Sequence, residues 1–230
     1  MKIYQRDVHL LSEEAYALLR KDTIGASEVS VLMGVGFDTL DELLAKKAQK
    51  FLTKEELEIG KKPSVRKGKE LEDFILAKYK KKYEVTKIAK PPHMYEIWTG
   101  LTVNFDAIQS EGPDIPVEVK YVTTFGHKYY DTTTDHKEYK PNLKPTTDMK
   151  AYLNQCAALA GIPVYYYTQL QTQMLALEAE TGVLTALFEK DWELRTYVVH
   201  RDPHFKVALK VAHARAWEKM NASTNTSSVV

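Results

Sequence analysis

Between Tyr83 and Thr124 the chain has almost no way to be helical. YEVTKIAK, YEIWTGLTVNFDAI and PVEVKYVTT are dense in β-branched and aromatic residues, which suit a pleated, half-buried surface. QSEGPDI separates the last two pieces, and its Gly, Pro and Asp are turn formers. The pattern predicts a hairpin centred near Gly112. Asp106 lies six residues before that centre and Glu118 six after it. In a regular hairpin they stand opposite each other on one face, with Cβ atoms about 5 Å apart. Lys120, two beyond Glu118, points the same way, while Val117, Val119 and Tyr121 point to the other face and read as core.

Two carboxylates this close repel, so a sheet face needs a counter-charge to hold them. A divalent cation supplies one. Magnesium takes carboxylate oxygens at about 2.0–2.1 Å and keeps positions for water and phosphate. An adjacent lysine can orient or deprotonate an attacking water and stabilise charge on the phosphate. The alternative is an edge hairpin with a Glu–Lys pair on a wet face. Pro113-Asp114 imitates part of such a metal site. Yet Asp114 lies four residues before Glu118, about 13 Å along one strand, and reads as a turn residue.

Around the hairpin the pattern is helical. SEEAYALLRK starts a helix at Ser12, and after a break at residues 22–25 Ser27 opens the stretch SEVSVLMGVG. LDELLAKKAQKFL reads as helix, TKEELEIGKKPS as loop or mobile insertion, and VRKGKELEDFILAKYKKKY as a strong helix. The long polar stretch TTDHKEYKPNLKPTTD has no clear period, and connections of that length are usually functional or mobile. Helices return at MKAYLNQCAALAG and YYYTQLQTQMLALEA. VLTALFEK and ELRTYVVHRD then read as a strand pair, and FKVALKVAHARAWEKM as a terminal helix. The expected class is α+β, a central mixed β-sheet flanked by helices. We expect one domain over residues 1–220 and a disordered tail over 221–230.

With 44% apolar and 27% charged residues the chain is globular. No apolar run approaches the ~18 residues of a membrane helix, and the first residues lack the order of a signal peptide. The single Cys156 cannot form an internal disulfide and fits a reducing cytoplasm. Histidines and cysteine show no zinc spacing. The net charge is only +1, but residues 61 to 82 hold Lys61, Lys62, Arg66, Lys67, Lys69, Lys78, Lys80, Lys81 and Lys82. Such a stripe suits nucleic acid, though on charge alone a solvated helix face is the favoured reading.

Five segments in order carry a resemblance: IGASEVSVLMG, RKGKELED, NFDAI with VEVK, YYYTQLQTQM, and YVVHRD before a helix. Together they resemble the lambda-exonuclease or YqaJ-like viral recombinase family of the PD-(D/E)XK nuclease superfamily. The resemblance implies a deoxyribonuclease that digests one strand of duplex DNA from a 5′ end. The exposed 3′ tail would pass to a single-strand annealing protein. It implies Mg2+, with Mn2+ able to substitute, two ions per site, and a ring of subunits, commonly a trimer, around DNA.

By the same resemblance Asp106, Glu118, Glu72 and Val119 are metal ligands, Lys120 is the catalytic lysine and Gln169 a glutamine beside the site. Glu70 is second choice to Glu72. Arg20 and Ser27, seven residues apart, match residues that hold a 5′-phosphate, and a hydroxyl at a helix start suits an anion. Ser27 as a plain helix cap is the alternative. Two departures stand out. Tyr152-Leu153-Asn154-Gln155 competes for the glutamine motif, because the spacing from Lys120 to Gln169 is long. The family's basic residue after the lysine falls on Gly126, leaving His127 or Lys128 to serve the phosphate. An endonuclease on the same fold, or a DNA-binding module whose carboxylates form only salt bridges, are the rival readings.

Overall fold

The structure is a computed structural model that describes residues 4–7, 12–49, 51–54, 58 and 61–226. Seven helices are labelled here: α1 (Glu13–Lys21), α2 (Val29–Leu32), α3 (Leu40–Ala48), α4 (Pro63–Tyr83), α5 (Met149–Ala160), α6 (Val164–Leu177) and α7 (Phe205–Thr226). The strands are β1 (Tyr4–Asp7), β2 (Ile24–Gly25), β3 (Ile88–Ala89), β4 (His93–Trp98), β5 (Leu101–Val103) and β6 (Ala107–Gln109), then β7 (Ile115–Val122), β8 (His136–Tyr139), β9 (Thr181–Phe188) and β10 (Leu194–His200). No helix among the described residues is long and apolar enough to cross a membrane.

The class is α+β with mixed sheets and flanking helices, but the strands divide into two sheets. A six-stranded sheet runs β3-β6-β7-β9-β10-β8, and a four-stranded one runs β1-β4-β5-β2. The segment YEIWTGLTVNFDAI therefore does not stay in the main sheet. It turns at Gly100, pairs β4 with β5, and leaves at Asn104–Asp106 to enter the main sheet as β6. Gly100 has φ +77°, and a Cβ there would overlap the Trp217 ring of α7. The long polar segment also holds a strand, β8, parallel to β10. Its pattern is weak because an edge strand is covered on few sides.

The strand at the centre is β7. It pairs antiparallel with β6 and parallel with β9. Val117 and Val119 are buried against Ile75 and Tyr79 of α4, in a cluster with Leu187 and Leu194. The opposite face meets α6, whose Leu170 and Met174 join the larger core. Gly182 on β9 allows this close approach, since a Cβ there would lie 2.9 Å from Leu170.

Part of the lysine stripe on α4 is used inside the fold. Lys67 Nζ reaches Glu189 at 3.0 Å, a carboxylate that also accepts from Tyr121 at 2.6 Å, and Lys82 donates to the Leu194 carbonyl at 2.9 Å. The His200-Arg201-Asp202 run is a strand end. Buried Asp202 accepts from Tyr152 at 3.0 Å, and its N–H donates to Gln171 Oε1 at 2.9 Å, so Gln171 is a core amide. Helix α7 continues through Thr226, so residues 221–226 of the expected tail are helical; 227–230 lie outside the described residues. Of the segment 53–64 read as loop or insertion, residues 55–57, 59 and 60 lie outside the described residues, and α4 starts within it at Pro63.

Candidate active site

The β6–β7 register is Ala107↔Val117, Ile108↔Pro116, Gln109↔Ile115. Continued by one residue, it sets Asp106 opposite Glu118. Asp106 sits just before β6, and its carboxylate takes the place of a ladder acceptor: Val119 N–H donates to Oδ2 at 2.8 Å. That bond anchors Asp106 to the β7 backbone. Val119 enters the site through its main chain, while its side chain is buried on the α4 face.

Glu118 is buried, with 1% exposure. Burial, and then the charge of Asp106, push its pKa above the ordinary glutamate value, while Lys120 and Gln173 pull against that. Three polar side chains hold it. Lys120 Nζ hydrogen-bonds Oε1, Gln169 Nε2 reaches Oε1 at 2.7 Å, and Gln173 Nε2 reaches Oε2 at 2.6 Å. Gln173 Nε2 also lies 3.2 Å from the Asn104 carbonyl. Lys120 Nζ is 3.8 Å from Asp106 Oδ2 and 5.1 Å from the centre of the Tyr166 ring. Burial disfavours the charge on Lys120, but Glu118 and Asp106 outweigh it and raise its pKa. Lys120 thus sits between the two carboxylates as their cationic hydrogen-bond donor.

Gln173 escaped the sequence reading. Gln169 and Gln173 are four apart on α6, the spacing that puts two side chains on one helix face, and that was the available signal. Replacing Gln173 by Met should lower stability by about 1–3 kcal/mol, because Glu118 Oε2 loses a donor in a dry site. Thermal unfolding reads this out, and a midpoint equal to wild type would remove Gln173 from the clamp. The competing motif lies elsewhere: Tyr152 is committed to Asp202 and Gln155 is exposed on α5.

The third expected acid is not gathered with the other two. Glu72 on α4 is held by Lys90, Nζ to Oε1 at 2.6 Å. Among the described residues no three His, Cys, Asp or Glu side chains form a group able to hold a metal ion. Glu70 points away and pairs with Arg66 at 3.0 Å. The donor set still suits a hard divalent cation. Asp106 and Glu118 offer carboxylate oxygens with Lys120 as their shared counter-charge. Gln173 Oε1 is a buried acceptor with no hydrogen-bond partner among the described residues. All of these donors are oxygens, as Mg2+ prefers.

Arg20 and Ser27 meet, with Nη2 3.4 Å from Oγ. Ser27 lies inside a 3-10 turn, Ala26–Glu28, and its hydroxyl caps nothing. The N–H of Gly25 is instead satisfied by Glu28 Oε2 at 2.8 Å. Helix α2, which follows, spans only four residues. Attraction for an anion here must therefore come from Arg20 and not from a helix dipole. Arg20 is 3.8 Å from Glu28 Oε1, but Lys47 Nζ holds Glu28 Oε2 at 2.7 Å, so two cations face one acid. The turn packs on α6, the helix that carries Gln169 and Gln173. Lys128 lies in the 3-10 turn after β7, with Nζ 4.9 Å from the centre of the Tyr129 ring.

Comparison with known proteins comes to a consistent answer. The family model described as YqaJ-like viral recombinase domain matches residues 15–182. Among solved structures, the alkaline exonuclease of Laribacter hongkongensis is similar over 93% of this chain and 97% of its own, with 12% identity and a TM-score of 0.59. The same exonuclease in complex with dAMP is similar over 94% and 98%, with 14% identity and a TM-score of 0.58. A phage-related exonuclease from Haemophilus somnus 129PT is similar over 90% and 96%, with 12% identity and a TM-score of 0.55. No protein of curated function matches.

Proposed function

Since this chain belongs to the YqaJ-like viral recombinase domain family, we propose that it is a Mg2+-dependent 5′→3′ exonuclease of duplex DNA. Its product is a 3′ single-stranded tail for a single-strand annealing protein, in phage-type recombination in the host cytoplasm. Residues 1–220 act as one nuclease domain, and subunits assemble as a trimeric ring. The observation that carries the reading is the constellation on β7: Glu118 clamped by Lys120, Gln169 and Gln173, with Asp106 bonded to the same strand.

Asp106 and Glu118 are the residues that would hold the ion, with the Val119 main chain between them. A bound Mg2+ or Mn2+, one or two ions, would polarise the phosphate and lower the pKa of a bound water. The chain itself supplies position and charge. Gln169 and Gln173 fix the rotamer of Glu118, so its oxygens are aimed before substrate arrives. Lys120, held as an ammonium, donates to the phosphate oxygen on which negative charge grows. Arg20 and Ser27 receive the terminal 5′-phosphate, and Lys128 guides the backbone after β7. A terminal phosphate carries more charge than an internal diester, so a guanidinium discriminates in its favour.

The test compares linear duplex with 5′-phosphate or 5′-hydroxyl ends and covalently closed circles. Wild type should degrade the 5′-phosphorylated duplex fastest and leave closed circles intact. Arg20→Ala should slow the phosphorylated substrate by about tenfold, the size of one lost charge-assisted contact, and narrow its advantage over the hydroxyl end. Efficient cutting of closed circles by wild type would instead favour an endonuclease on this fold.

A further inference from the structure

Phe37 is a large ring left to solvent. It is 88% exposed, yet its backbone is held on both sides. Before it, Val35 N–H donates to the Ser30 carbonyl at 2.8 Å, and Gly36 lies so close to α2 that a Cβ there would come within 2.8 Å of the Val31 nitrogen. After it, Asp38 pairs with Lys46 at 2.7 Å, and Thr39 caps α3 in a reciprocal bond with Glu42. The Phe37 ring meets Tyr165 with centroids 5.0 Å apart and planes at 46°. Tyr165 meets Tyr166 at 4.5 Å, and the Tyr166 ring centre lies 5.1 Å from Lys120 Nζ. Both tyrosines are half-buried in the first turn of α6, the helix on which the Ser27 turn packs. A continuous line of rings thus leads outward from the lysine between the two carboxylates. It ends on a ring that is tilted against its neighbour and open to water.

We propose that Phe37, backed by Tyr165, is a stacking platform for the nucleobase of the terminal nucleotide that the enzyme removes. This rests on the reading of Lys120 as the donor at the scissile phosphate. A nucleotide carries charge at one end and a flat π-face at the other. The surface here has the same order, with an ammonium between carboxylates at one end and aromatic rings at the other. A terminal base drawn away from its complement loses its stacking neighbours, and an aromatic side chain replaces one of them. Every base has a π-face, so this contact holds the nucleotide without reading its identity, as digestion of successive nucleotides requires. The rigid loop around Gly36 presents the ring in place before substrate arrives, which limits the entropy lost on binding. Covering of Phe37 by a second copy of the chain would leave the continuity of the rings with Lys120 without a purpose.

The experiment follows release of the first nucleotide from 5′-phosphorylated duplexes. The terminal nucleotide is unpaired in every substrate and either carries its base or is abasic, so strand opening is common to all. Phe37→Ala should raise KM for the intact end about tenfold, the size of one lost base–aromatic stack, with kcat within about twofold of wild type. For wild type, removing the base should raise KM by a similar factor. For Phe37→Ala it should change nothing further, because ring and base act as a pair. Phe37→Trp should match or lower the wild-type KM, and Phe37→Leu, apolar but without a π-face, should behave like the Ala variant. Sedimentation should give the same subunit number for all four proteins. Equal wild-type KM for intact and abasic ends, or wild-type KM in Phe37→Leu, would overturn the platform and leave the nuclease reading standing. A changed subunit number in Phe37→Ala would overturn it in favour of a contact between copies. Wild type that cleaves no duplex with any divalent metal would overturn the nuclease reading, and the platform with it.

Discussion

Lys120→Ala is expected to slow DNA cleavage by at least about a hundred- to a thousandfold, the cost of removing one preorganised donor from a developing oxyanion. Lys120 is the cation common to both site carboxylates, bonded to Glu118 and 3.8 Å from Asp106. While those acids hold it protonated it has no lone pair to offer a metal. Metal and DNA binding should therefore persist in the variant. The loss should appear in kcat, with a smaller change in the affinity for duplex measured in Ca2+. Removing Lys120 also leaves buried Glu118 without a charge partner, so the metal-free variant should melt lower and recover when Mn2+ is added. Near-normal turnover would take Lys120 out of the mechanism.

Asp106→Ala is expected to lower activity by about a thousandfold or more, since an ion that loses one of its two carboxylates forfeits several kcal/mol of charge stabilisation. Asp114→Ala should leave activity within about twofold, in keeping with its surface position. Asp106 lies opposite Glu118 by the strand register and bonds the β7 backbone; Asp114 is exposed in the turn, where its Oδ1 accepts from Ser110 at 2.6 Å. The Ala substitution also strips the acceptor from Val119 N–H, so a folding defect and a catalytic one have to be separated. Asp106→Asn does so, because an amide oxygen can still accept that bond without the charge. Both Asp106 variants should be inactive, with Asn the more stable of the two. An active Asp106→Asn beside an inactive Asp114→Ala would show that the hairpin register had been assigned to the wrong acid.

Much of this site could be read from the chain alone because it depends on local rules. A hairpin turn centred at Gly112 and the period of two in a strand are enough to set Asp106 against Glu118, to align Lys120 with Glu118, and to send Val117 and Val119 to the opposite face. The helix at Ser12 could be read for the same reason: its cap bond, Ala15 N–H to Ser12 Oγ at 3.1 Å, spans three residues. The seven-residue interval that brings Arg20 to Ser27 was visible too, though not the short 3-10 turn on which Ser27 sits.

What the chain alone determined, then, was the α+β class and the pairing of acids within one hairpin. Only the tertiary structure decided which distant side chains close the site. Gln173 reaches Glu118 across 55 positions, and Glu72 is taken by Lys90 from the link between β3 and β4. The division of the strands into two sheets was settled at the same level. Periodicity reports which face of an element is apolar, but it carries no information about the element that will cover that face. That choice is made by packing, here by the close seat of α6 on Gly182 that lowers two glutamines onto a buried carboxylate.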